Sequence, residues 1–173
     1  MRQRRSVAIN RIGNISPPNL DSAVMHKKLT LAAIILSLCL TAAFAKTPVE
    51  PVNKSKTGLA VKGYDVVAYF EQSEPHKGST EFTFTWMSAT WQFSSAKNRD
   101  LFMAGPEKYA PQFGGYCAWA VGHAYTADAD PEAWKIVDGK LYLNYNKDVQ
   151  KKWSTETTKW IEDGKKNWPG LHK

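Results

Sequence analysis

The 173-residue chain contains two cysteines. Cys39 lies in a largely apolar leader, so Cys117 is the lone thiol of the part expected to fold and no disulfide framework can form. Long hydrophobic runs are missing too. The longest, 29–40, has twelve residues, against about 20 for a stable transmembrane helix. No P-loop, dinucleotide-binding fingerprint, Gly-x-Ser-x-Gly or paired-acid motif occurs. Excess positive charge is scarce outside the first 45 residues. That segment holds Arg2, Arg4, Arg5, Arg11, Lys27 and Lys28 against Asp21, leaving 17 basic and 15 acidic groups among 46–173. A net +2 from those totals supplies little attraction for phosphate, so nucleic acid is not an expected partner.

What remains is rich in aromatics. All seven Trp, all seven Tyr and six of seven Phe follow residue 45, enough to build a core without cross-links. Upstream, Met25-His26-Lys27-Lys28 is a basic start, 29–40 an apolar centre and Ala43-Phe44-Ala45 a small-x-small cleavage signature. The expected organisation is therefore an upstream extension 1–24, a secretory signal 25–45 cleaved after Ala45, a flexible lead-in 46–57, one domain 58–168 and a tail 169–173. Translation starts at Met1 or at Met25. Export to a periplasmic or extracellular compartment follows, with no stable membrane span after cleavage.

Local patterns give the fold class. Phe82, Phe84 and Trp86 alternate along one strand, and Trp91 and Phe93 along the next, which predicts a hairpin. Asp138-Gly139 between 134–137 and 140–145 predicts a second, closed by a type I′ turn. Asp65 is placed to cap a short turn, although 63–70 also suits a strand. Ser94 or Ser95 caps a helix over 96–103, ended by Gly105, and Pro106 opens another turn. Gly114-Gly115 permits a sharp bend into 116–121, and Asp130-Pro131 reads as the start of a turn. Asn146 caps a final amphipathic helix whose Val149, Trp153 and Trp160 share an arc, with Gly164 just past its end. The sum is an α+β domain: a small antiparallel sheet built from two β-hairpins, several short helices and a C-terminal amphipathic helix.

Trp91-Gln92-Phe93-Ser94-Ser95, Asn98, Phe102 and Pro106-Glu107-Lys108-Tyr109 together resemble the YHS domain. So do Gly63-Tyr64-Asp65, Val67-Ala68-Tyr69-Phe70, residues 114–121 and 139–144, in the manner of its stand-alone exported members. The resemblance covers most of 58–168. It implies the family's fold and a metal-handling role, with copper or another transition-metal ion as cofactor. The family's two cysteine positions carry Ser94 and Asn98 here, and their oxygens are poor substitutes for thiolate toward soft ions.

The remaining candidate ligands are Cys117 and His123, thiolate and imidazole, with Met87, Met103 or Asp128 as further donors. Their C-x5-H spacing is not a recognised zinc pattern, and a structural zinc site takes four ligands. The plainer reading makes Cys117 a small buried hydrophobe. A Cys–His nucleophile pair needs hydrogen-bond reach and a third, orienting group, which no other residue supplies, so no enzyme is expected. His76 and His172 read as solvated. The expected function is an exported accessory domain that binds a metal ion or small ligand. The alternative is a structural or protein-interaction module that has lost the family's metal site.

Overall fold

The computed structural model describes residues 49–172. The upstream extension, the signal segment with Cys39, its cleavage point and the first residues of the lead-in lie outside them. Among the described residues no helix is long and apolar enough to cross a membrane.

The fold is α+β, as expected. After a tight turn at Val61–Gly63 comes the short helix α1 (Ala68–Glu71), and then the first hairpin, β1 (Ser79–Trp86) and β2 (Ala89–Phe93). Helices α2 (Ala96–Ala104) and α3 (Pro106–Tyr109), a turn at Gln112–Gly115 and α4 (Ala118–Gly122) lead to the second hairpin, β3 (Asp130–Val137) and β4 (Lys140–Asn144). Helices α5 (Lys147–Trp153) and α6 (Thr157–Leu171) follow.

The sequence pattern suggested one small sheet, but the two hairpins form separate two-stranded sheets. Each is antiparallel, with Phe84 opposite Trp91 in the first and Ile136 opposite Leu141 in the second. Strand β4 is buried on both faces. Leu141 and Leu143 join the core of Val66, Val67, Tyr69, Trp91, Phe93 and Phe102. Tyr142, pointing the other way, joins Phe113, Val121, Trp153, Ile161 and Leu171. One strand thus serves as a wall between two clusters, because successive side chains alternate across the backbone.

The expected caps hold. Ser95 Oγ accepts from the Asn98 amide at 3.2 Å and Asn146 Oδ1 from the Val149 amide at 2.9 Å. Asp138 and Gly139 both have positive φ, 49° and 69°, as a type I′ turn requires.

Four expectations need correction. The lead-in is not free from residue 49 onward: Val52 is buried, and the Asn53 amide donates to the Gly114 carbonyl at 2.8 Å. Asp130-Pro131 opens strand β3 rather than a helical turn. The final helix is two helices, separated at residues 154–156, and α6 continues through the expected stop at Gly164 and the expected tail to Leu171. Gly164 is there for contact instead: a Cβ on it would lie 2.5 Å from the Phe113 ring.

Candidate functional site

The bend at 113–115 aims the chain into Cys117. Phe113, Gly114 and Gly115 all adopt positive φ, 55°, 60° and 80°, and the two glycines do so without steric cost. The Cys117 amide then donates to the Ala127 carbonyl at 3.0 Å, and the residue bridges to Leu143 of β4. Cys117 is therefore fixed against the central strand, immediately before α4, and is only 1% exposed. Its Sγ accepts from the Tyr145 amide at 3.2 Å. Burial pushes the thiol above its ordinary pKa, against the opposing pull of backbone N–H groups from Ala120, Tyr145 and Trp119. A neutral, enclosed thiol is a poor nucleophile.

Cys117 nonetheless borders a hollow of about 250 Å³. Ala120, Ala127 and Val149 give it aliphatic surface, and the rings of Trp119, Tyr125 and Tyr145 complete it. Tyr125 and Tyr145 are both exposed, so their phenols form a wet rim around an apolar interior.

His123 does not border this hollow. It follows α4 as Cys117 precedes it, with the five helical residues Ala118–Gly122 between them. Its imidazole stacks on Trp160 and packs at a tilt against Trp119, each with its ring centre 4.4 Å away, while the two indoles lie 4.7 Å from each other, and Nδ1 lies 2.7 Å from the Trp119 carbonyl oxygen. Only Nε2 is left for another partner. The suggested auxiliary donors are also dispersed. Met87 borders a hollow with Trp86 and Trp168, and Asp128 borders a different one with Lys54 and Lys62. Among the described residues no three His, Cys, Asp or Glu side chains gather in a way that would hold a metal ion.

Ser94 and Asn98, the two residues at the cysteine positions of the resemblance, do come together, around a residue 29 positions upstream of Ser94. Asp65 is fully buried. Its Oδ2 accepts from the Ser94 amide at 2.8 Å, from Ser94 Oγ at 2.7 Å and from Asn98 Nδ2 at 2.7 Å. Its Oδ1 accepts from the Val67 amide at 2.9 Å and the Ala68 amide at 3.4 Å. The carboxylate thus has five donors, which is how a buried charge is made tolerable. The Asn98 amide is committed to this knot and Ser94 Oγ bonds within it.

Compared with known proteins, the chain matches no family model, no curated protein and no solved structure.

Sequence reasoning picked out Cys117 but missed the aromatic frame. Tyr125 follows a short helix whose end no local pattern marks, and in the sequence pattern Tyr145 is only the end of a hairpin. The link from Asp65 to Ser94 and Asn98 spans 29 and 33 residues and no local pattern announces it.

Proposed function

We propose that this chain is an exported accessory domain, without catalysis of its own, that holds a small and largely apolar ligand in the hollow beside Cys117. The observation that carries the reading is the hollow itself: a concavity of about 250 Å³ with an aliphatic interior, three aromatic rings and two exposed phenols. Small-molecule sites share that make-up, apolar walls with a few polar groups at the edge, and this one lies just below their usual size of about 300–1,000 Å³. A compact aromatic molecule with one polar atom for the phenolic rim fits it.

The metal-binding form of the reading, copper held by Cys117 and His123, is supported less well. One thiol turned toward a backbone N–H, with His123 packed elsewhere and no third donor beside them among the described residues, does not make the closed coordination set that soft ions take.

A second reading, an interaction module that has lost the family's metal site, is favoured by the Asp65 knot. There Ser94 and Asn98 serve a buried carboxylate, and the polar atoms are occupied with one another.

Calorimetric titration of the anaerobically purified protein with indole as probe separates these readings. Binding that saturates in the native protein and is lost in Val149→Trp, which fills the hollow, supports the first. Stoichiometric Cu(I) or Zn(II) uptake by the native protein but not by Cys117→Ser favours the metal. Absence of both, with Cys117 resisting thiol reagents until the chain unfolds, favours the interaction module.

A further inference from the structure

A second concave region lies away from Cys117, where the first hairpin, the 110–113 segment and α6 meet. It consists of two hollows, of about 310 and 170 Å³, that share Trp86, Ala110, Pro111 and Trp168. We propose that this groove binds a neutral saccharide, one sugar ring to each hollow.

The two indoles are held in place by their neighbours. Trp86 packs against Trp91 and Phe102, with ring centres 5.8 Å away in each case. Trp168 has His172 stacked on it at 4.2 Å and 10°, and meets Phe113 and Tyr116 at 6.2 and 5.8 Å. Rings fixed this way lose little further freedom when a ligand arrives. Neither indole N–H has a hydrogen-bond partner among the described residues, and neither is among their fully buried unpaired groups.

The larger hollow also brings together Glu107, Gln112 and Lys165, none of which has a side-chain partner among the described residues. The groove therefore offers apolar aromatic surface together with a carboxylate, an amide and an ammonium. A purely apolar ligand would strip water from these groups and return nothing, which is costly. One carboxylate and one ammonium leave no net charge to select an ion. A pyranose satisfies both demands, since its C–H faces lie on aromatic rings and its hydroxyls both donate and accept. The hollows suit single rings better than a strand crossing the surface.

The test is isothermal titration of the full chain with chitotriose, maltotriose and cellotriose, and with decaproline as a peptide control. The expected result is saturable binding of at least one trisaccharide with a Kd of about 1 mM or tighter. Glu107→Gln and Gln112→Ala, both at side chains without partners, should each weaken it by about threefold to tenfold. Trp168→Ala should abolish it. Because Trp168 also packs internally, the two polar variants carry the conclusion if that one fails to fold. Binding of none of the three sugars overturns the proposal. So does binding that the polar variants leave unchanged, and so does binding of decaproline alone, which would assign the groove to a peptide.

Discussion

Replacing Asp65 by alanine removes the acceptor for five donors, and the structure indicates which of them suffer. Ser94 is exposed, so its amide and hydroxyl regain water. The Ala68 amide retains the Asp65 backbone carbonyl at 3.2 Å. The Val67 amide is left dry in a residue that is 0% exposed, and Asn98 Nδ2, in a residue 4% exposed, keeps only its longer bond to Ser94 Oγ at 3.3 Å. A stranded buried donor costs about 1–3 kcal/mol, and the bonds lost were to a charged acceptor. One stranded donor and one weakened bond put the expected loss at about 2–4 kcal/mol, a large share of the roughly 5–15 kcal/mol that holds a domain together. Asp65→Asn restores one acceptor oxygen but turns an NH2 toward other donors, so it should cost about half as much. Urea unfolding at neutral pH, read as the midpoint at unchanged slope, measures both. A loss below about 1 kcal/mol for the alanine variant would refute the reasoning. It would mean that water reaches the knot and that the carboxylate is not the acceptor on which this corner depends.

Two further outcomes follow from burial and backbone geometry. Burial raises the pKa values of Tyr69, Tyr142, Tyr116 and Cys117 above the ordinary 10.0 for tyrosine and 9.0 for cysteine. The folded state keeps these protons where the unfolded chain releases them, so the stabilisation is whole below pH 9.0 and declines as pH rises through and beyond 10.0. Urea midpoints should fall across that range, and Cys117→Ala should flatten its lower part; a flat profile in the native protein would contradict the burial argument. Gly114→Ala places a Cβ 2.0 Å from the Pro51 carbonyl oxygen at a φ of +60°, which forces residues 51–53 away and breaks the Asn53–Gly114 bond. It should cost about 2–4 kcal/mol, whereas Gly139→Ala, with φ +69° and nothing within 4 Å, should cost only about 1–2 kcal/mol. Equal losses in thermal or urea unfolding would show that the contact with Pro51 is unimportant.

The sequence by itself determined what short-range chemistry decides. Alternation of Phe82, Phe84 and Trp86 sets a strand, Asp138-Gly139 closes a hairpin, and Ser95 and Asn146 cap helices, because each depends on residues within a few positions of one another. The α+β class follows from their sum. Tertiary structure alone decided the rest. Gly164 looked like a helix stop and is instead a point of contact with Phe113, since a glycine can end a helix or admit a neighbour and only packing chooses between them. The two hairpins stand as separate sheets, with β2 bridged by Leu59 and β4 by Cys117, a matter of what lies along their edges. Most consequential for function, Cys117 and His123 are near in sequence but flank a short helix and have different neighbours, whereas Asp65 lies far in sequence from Ser94 and Asn98 and hydrogen-bonds both. A site is a meeting of side chains in space, and spacing along the chain fixes that meeting only within one turn or one strand.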